Sequence, residues 1–451
     1  MVTHSFKWLA LLGGLAVGAA SLAHAQDSGP LIDTLVKKGI LNDQEAEDLR
    51  IELLKDFGTS SAGKFNLSSA LTELKISGDA RVRYEYRTGE NGKPGAAIAA
   101  GSKVGDQQER NRYRYRLRLG VSGKFQDGWF FGTRIEPVGN NRSTNVTAGN
   151  STSPFAKADS LAIGQAYIGR SVGDFTLTAG RLAGSPLVTT SMLWDDDLNP
   201  DGLAEQWSHE SGDITWIGNF GQFVYEGTGT TNPINTAAGA PNTSRQNTYL
   251  LAFQGGGKVK VGKGVTVQVL PTFYKYTGND TGATALTTAN SNTLRTYGLS
   301  VIDIPVEVGF KLGALPAKVF GDFAYNAKAG TRATAAGKAK FGGEDKAYQI
   351  GVGVGASKVK GDWEAKAFWQ SVDAFALDSN LVDSDLFDSR TNMEGFVLQG
   401  TYVLSTGVSV KFTYANADRK TDLLGTYGAG DIATANLTHF QLFQADLNVK
   451  F

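Results

Sequence analysis

Residues 439–451 read HFQLFQADLNVKF. From Phe443 onward every second residue is apolar (Phe443, Ala445, Leu447, Val449, Phe451), while Gln444, Asp446, Asn448 and Lys450 fill the alternate places. A period of two marks a strand with one apolar and one polar face, because successive side chains leave the pleat on opposite sides. At the rim of an open sheet such a strand would present unpaired backbone groups beside an apolar row, a template for aggregation. In a closed barrel it pairs with the first strand and the edge vanishes. These residues alone leave both arrangements open.

The 451 residues include 56 Gly, 24 Phe and 15 Tyr. That is too aromatic and glycine-rich for a helical protein and too apolar for disorder. Beyond the N-terminus there is no apolar run of about eighteen residues, so no helical membrane span is expected. A transmembrane barrel escapes this test because only alternate residues face lipid, and a mean hydropathy of −0.20 is compatible with one. Cysteine is absent, which removes disulfides and thiolate metal sites. The formal net charge of +0 points to no partner.

The first 25 residues have the form of a secretory signal. Lys7 precedes an apolar run from Trp8 to Leu22, and Ala23-His24-Ala25 supplies the small residues of a cleavage site before Gln26. The run is short and broken by Gly13, Gly14 and Gly18, which argues against a helical anchor. Residues 26–70 follow as a helical segment and tether. Pro30 suits a first helical position, and Leu31, Ile32, Leu35 and Val36 recur at helical spacing until Gly39. Asn42 and Glu45 form a capping pair for a second helix, whose apolar stripe is Ala46, Leu49, Leu53 and Phe57. Gly58 to Ala70 is rich in Ser and Gly.

From Leu71 the pattern changes to about sixteen alternating segments. They begin near Glu73, Arg110, Gly128, Ser160, Asp174, Gly202, Asp213, Asn247, Gly264, Thr296, Pro316, Lys346, Asp362, Glu394, Gly407 and Thr438. Tight turns such as Gln126-Asp127-Gly128 alternate with long connections such as Gly89 to Asp106 and Gly227 to Ser244. An even number of strands is what an antiparallel barrel requires. One face reads Tyr348, Ile350, Val352, Val354, the other Gln349, Gly351, Gly353, Gly355. A packed sandwich would not tolerate the second face, whereas a water-filled lumen would. Slips of phase near Asp303 and Phe220 suggest bulges. The predicted class is therefore all-β: an antiparallel transmembrane β-barrel over residues 71–451, preceded by a short helical segment.

Arg112, Arg114, Arg116 and Arg118 share one face of the second segment, opposite Tyr113, Tyr115, Leu117 and Leu119. The first segment adds Arg81, Arg83 and Arg87, and the third adds Arg134. Facing lipid, each guanidinium would cost a few kcal/mol, so the arginines are assigned to the lumen as a basic wall. Between the fifth and sixth segments, residues 184–201 carry Leu187, Met192, Leu193 and Trp194 and then Asp195, Asp196, Asp197 and Asp201. An outer loop has no need of that apolar run. A loop folded into the barrel could anchor on it and present its carboxylates to the channel, although a calcium-binding surface loop uses the same oxygens.

The leader, LIDTLVKKGILNDQEAEDLRIEL (31–53), LTAGR (177–181), WDDDLNPDG (194–202) and Phe451 together resemble the putative porin family of Gram-negative outer membranes. The helical segment also resembles the N-termini of phosphate-selective porins. The resemblance implies a general-porin-like barrel in the cell outer membrane, with the helices in the periplasm, turns on the periplasmic side and loops outside. It implies a third loop, here Asp195, Asp196, Asp197 and Asp201, that narrows the pore opposite an arginine cluster at Arg81, Arg83, Arg112, Arg114, Arg116 and Arg118. It also implies a homo-oligomer, specifically a trimer.

The expected function is passive diffusion of small hydrophilic solutes and ions across an opposed-charge constriction, with an anion- or phosphate-selective channel as the alternative. No cofactor, metal or nucleic acid is expected; the partners are outer-membrane lipid, the solutes, and a cell-wall or subunit contact through Pro30 to Phe57. An enzyme is disfavoured because only His209 and His439 remain once the leader is removed.

Overall fold

The computed structural model describes residues 29–59, 68–92, 107–139, 143–149, 160–226, 248–277, 296–428, 430–432 and 437–451. The signal expected at 1–25, a start at Gln26, most of the tether, and the greater part of the connections expected at 89–106 and 227–244 lie outside the described residues. The chain divides into two units, one ending at Ser68 and the other running from Ser69 to Phe451.

In the first unit, α1 (Gly29–Lys37) and α2 (Asp43–Thr59) are separated by Gly39, whose φ of 68° stops the first helix. Asn42 and Glu45 form the expected reciprocal cap: Glu45 N–H donates to Asn42 Oδ1 at 2.8 Å and Asn42 N–H to Glu45 Oε2 at 2.9 Å. Ile32 and Ala46 are the buried apolar contacts. Arg50 ties the pair together through Asp33 at 2.5 Å. No described helix is long and apolar enough to cross a membrane.

The second unit is a closed antiparallel barrel of sixteen strands. The first eight are β1 (Leu71–Asn91), β2 (Gln107–Phe125), β3 (Trp129–Pro137), β4 (Leu161–Val172), β5 (Phe175–Arg181), β6 (Asp201–Ser211), β7 (Ile214–Glu226) and β8 (Thr248–Val261). β9 is one strand in two pieces, Val265–Val269 and Thr272–Thr277, interrupted at Leu270 and Pro271. The rest are β10 (Ser300–Leu312), β11 (Leu315–Asn326), β12 (Lys346–Gly355), β13 (Trp363–Val372), β14 (Met393–Ser405), β15 (Val408–Arg419) and β16 (Leu437–Lys450). A two-residue strand, Val146–Thr147, lies within the β3–β4 connection and pairs with Arg114 and Tyr115 of β2.

β1 closes the barrel, pairing with β2 on one side and with β16 on the other from Asp79–Lys450 to Glu90–His439. Among the turns, Gly128 requires its positive φ of 77°, and a side chain there would sit 2.2 Å from the Ser171 carbonyl oxygen.

The outward residues form an apolar coat: Val82, Tyr113, Ile168, Phe253, Ile350 and Leu447 are all exposed. Inward residues are of two kinds. On β1 and β2 they are charged or polar, as the alternation predicts, whereas on β16 the polar Gln444, Asp446 and Asn448 give way to buried Leu442 and Phe440. On the wall from β6 through β13 many are apolar, including Ala204, Leu250, Ala252, Val301, Ala324 and Val372, because chain folded inside the barrel covers them. That covered sector corrects the expected bulges. The ladder runs unbroken through Asp303 and Phe220, and the shifts of register lie instead near Leu71, Glu90, Arg134, Val224 and Val403. The apparent slips arise where both faces of a strand are apolar, so alternation ceases to mark inside from outside.

Candidate functional site

The arginine rows stand as neighbours. Arg81 lies opposite Arg116 and Arg83 opposite Arg114 in the β1–β2 register, an arrangement of like charges that is unstable without counter-ions. The strands supply some. Asp79 accepts from Arg116 at 2.9 Å and Arg118 at 2.7 Å. Glu85, fully buried, accepts from Arg112 Nε at 2.8 Å and from Gln444 at 3.0 Å. Asp446 of β16 takes both ends of the Arg83 fork, at 2.7 and 2.9 Å. Arg134 is paired on its own strand with Glu136 at 2.6 Å.

The remaining counter-charges come from two connections. In residues 373–392, between β13 and β14, Asp385 reaches Arg83 at 2.6 Å, and Asp388 reaches Arg87 at 2.8 Å and Arg390 at 3.1 Å. From the β15–β16 connection, Asp431 bonds Arg110 at 2.9 Å and also Arg112. Arg114 lies 3.6 Å from Glu85 and donates to Ser143 Oγ and the Asn145 carbonyl, at 2.9 and 3.0 Å. Burial would raise the Asp385 carboxyl, but the guanidinium groups of Arg83 and Arg87 outweigh it and hold that group below the ordinary carboxylate range. Burial, with Asp195 and Asp385 nearby, pushes Asp383 well above that range.

Residues 182–200, between β5 and β6, pack on the apolar sector of the inner wall. Leu187, Met192, Leu193 and Trp194 are buried there, and Trp194 meets Phe223 edge-on with ring centroids 6.0 Å apart. Polar clamps fix the backbone. Gln254 accepts from Val188 N–H at 3.0 Å and donates to its carbonyl at 2.7 Å, and Thr190 donates to Asp322 at 2.5 Å. The segment is also tied to residues 373–392: Asp195 N–H donates to the Leu381 carbonyl at 2.7 Å, and Asp383 N–H to the Ser191 carbonyl at 3.2 Å.

The acids predicted for this segment separate. Asp197 alone reaches the arginine row, lying 3.4 Å from Arg116 and 3.7 Å from Arg118. Asp195 is buried and caps backbone, accepting from Asp197 N–H and Ser384 N–H, each at 2.9 Å. Asp196 is exposed. Asp201 opens β6 and pairs with Arg181 at 2.8 Å, away from the row, because the strand carries it to the opposite face. Sequence reading missed Glu85, Asp385, Asp388, Asp431 and Asp446 as partners of the wall. A usable signal existed: Ala374-Phe375-Ala376-Leu377 followed by Asp378, Asp383, Asp385 and Asp388 repeats the apolar-then-acidic pattern of residues 187–201. Among the described residues no group of three or more His, Cys, Asp or Glu side chains is placed to hold a metal ion.

A closed sixteen-strand barrel, apolar outside and charged inside, defines a channel protein of the porin class. The chain belongs to the putative porin family, whose profile matches residues 66–297 and 306–451. No curated protein sequence matches the chain. Among solved structures, it is similar to the anion-selective porin from Comamonas acidovorans at 12% identity and a TM-score of 0.45, covering 84% of this chain and 99% of that one. It is also similar to Salmonella typhi OmpF in complex with daunomycin, at 9% identity and a TM-score of 0.43, covering 85% of this chain and 99% of that one.

Proposed function

We propose that the protein is an outer-membrane porin, a passive diffusion channel for small hydrophilic solutes and ions, narrowed by residues 182–200 and 373–392. The observation that carries this reading is the partial exposure of inward charged groups, Lys318, Lys366, Lys411 and Arg118 among them, behind an apolar outer coat. A dry core could not hold hydrated cations at those places, whereas a water-filled passage can. The wall of Arg81, Arg83, Arg112, Arg114, Arg116, Arg118 and Arg134 then lines one side of the passage, and Asp195, Asp196 and Asp197 belong to the segment that narrows it. In this reading residues 1–25 direct export, and Pro30 to Phe57 serve a cell-wall or subunit contact of a trimer. Each described His has one Asp partner, His209 with Asp174 at 2.8 Å and His439 with Asp418 at 2.6 Å. Neither hydrogen-bonds a Ser or Thr hydroxyl among the described residues, which favours a channel over a hydrolase.

Planar-bilayer recording of the purified, heat-modifiable protein tests the reading. Stepwise insertion with conductance proportional to salt is expected. Folded protein that adds no conductance would overturn it.

A further inference from the structure

The carboxylates beside β1 and β2 pair with arginines, and Lys411 of β15 and Lys366 of β13 are left without an ion pair among the described residues. Lys411 of β15 lies opposite Asp446 in the strand register, yet both Asp446 oxygens are taken by Arg83. Lys366 of β13 stands over the rings of Phe320 and Phe368, 4.8 Å from each centroid, which fixes the direction of its stem without neutralising it. Neither lysine makes an ion pair within 4.0 Å among the described residues, and both are partly exposed.

The register places polar donors between them. Lys366 is opposite Gln399 of β14, and Gln399 is opposite Thr413 of β15, two residues from Lys411. Two strand spacings amount to about 10 Å, within the span of two lysine side chains converging from either end. Gly353 of β12, opposite Lys366, has no side chain of its own, and the stem of Lys318 lies over it. Arg81 completes the set: its Nε donates to Asn448 at 2.9 Å and lies 3.8 Å from Asp446, while its two terminal nitrogens make no hydrogen bond among the described residues.

Asp196 and Asp383 are the acids close enough to act electrostatically on Lys366. Asp383 turns one carboxylate oxygen inward, to the backbone N–H groups of Asp385 and Leu386 at 2.8 and 3.3 Å. It is a weak competitor for the lysines.

We propose that Lys366, Lys411 and the terminal nitrogens of Arg81, with Gln399 as a neutral donor, form a binding station for a small oxyanion, a phosphate or carboxylate group, on its way through the channel. The proposal rests on the porin reading and names the solute chemistry of that lumen. Ammonium groups are point charges able to follow a moving anion, so the station slows passage without trapping the ion.

The test is single-channel recording of the full chain in KCl with inorganic phosphate added, beside calorimetric titration of phosphate into the detergent-solubilised barrel. Phosphate is expected to reduce chloride current with saturation. In the K366Q/K411Q variant the half-effect concentration should rise about tenfold or more, and K366R/K411R should restore it. Heat-modifiable mobility confirms that the variants are folded. A linear, non-saturating phosphate effect, or an equal half-effect concentration in the Gln variant, would overturn the station. A wild-type barrel that binds phosphate by calorimetry but does not conduct would sink the porin reading and spare the site. A conducting barrel that binds none would do the reverse.

Discussion

Asp195 and Ser384 lie 189 residues apart in sequence and are joined by a 2.9 Å hydrogen bond from the Ser384 N–H to Asp195 Oδ2. The bond belongs to a seam along which residues 182–200 and 373–392 support each other inside the barrel. Each carries its own apolar anchors, so the two segments pack as one unit, the one proposed above to narrow the channel. A change at either should therefore be felt at both.

Trp194→Ala should loosen that obstruction. The indole is buried against Phe223, and truncating a buried Trp costs about 3–5 kcal/mol. The outer strands do not depend on it. Single-channel conductance should increase, with more low-frequency noise, while heat-modifiable mobility stays normal. Conductance equal to wild type would mean that Trp194 does not hold the narrowing.

Asp385→Asn should weaken the lumen network more than any surface change. Removing one partner from a buried ion-pair network costs on the order of 3–5 kcal/mol, because Arg83 and Arg87 keep their charge. The sign with pH follows from the lowered carboxyl. Its stabilisation is fully present above the unfolded value of about 3.9 and fades only as pH falls through the lower folded value. The wild-type minus variant gap in unfolding temperature should thus hold steady from pH 7 to pH 5 and narrow only in stronger acid. A gap that closes above pH 5 would contradict the assignment.

Arg114→Ala with Arg116→Ala should act on packing before selectivity. Arg114 holds the Ser143–Asn145 stretch, and Arg116 is shared between Asp79 and Asp197. The double variant should show altered trypsin cleavage near Arg142, read by mass spectrometry. Its reversal potential at 0.1 M KCl, where screening length is about 10 Å, should move less than that of K366Q/K411Q. The opposite ranking would return the selectivity to the arginine wall.

Phe451→Ala should impair assembly. Gly78 and Phe451 exchange backbone hydrogen bonds at 2.9 and 3.0 Å, and the Phe451 ring lies over Gly78, where an added side chain would meet it at 2.6 Å. The ring covers backbone that a larger residue would cover elsewhere. The fraction of heat-modifiable protein in the membrane should fall, and an unchanged fraction would remove the aromatic from the closure.

The barrel was legible in the sequence because it is written at period two. The side chains of β1, β2 and β16 declare their faces one residue at a time, and local turn chemistry separates the strands. The largest difference in a strand start is at β10, expected from Thr296 and found from Ser300. The capping pair Asn42–Glu45 is likewise a local matter, three residues apart. The expectation that Arg112 to Arg118 face inward rested on the same local pattern, since the alternative exposes charge to lipid.

What each arginine meets could not be read in this way. Arg83 finds Asp446 because the last strand pairs with the first, and Arg87 finds Asp388 because a connection some three hundred residues further on turns into the lumen. Only barrel closure brings these charges together. The same folding leaves Lys411 without an ion pair among the described residues, since Asp446 faces both Arg83 and Lys411 and its two oxygens suit the planar guanidinium fork better than an ammonium point charge. On β1 and β2 alternation in the sequence marks which side chains turn inward; competition among those cations for a limited set of carboxylates, settled by three-dimensional geometry, decides which of them are ion-paired.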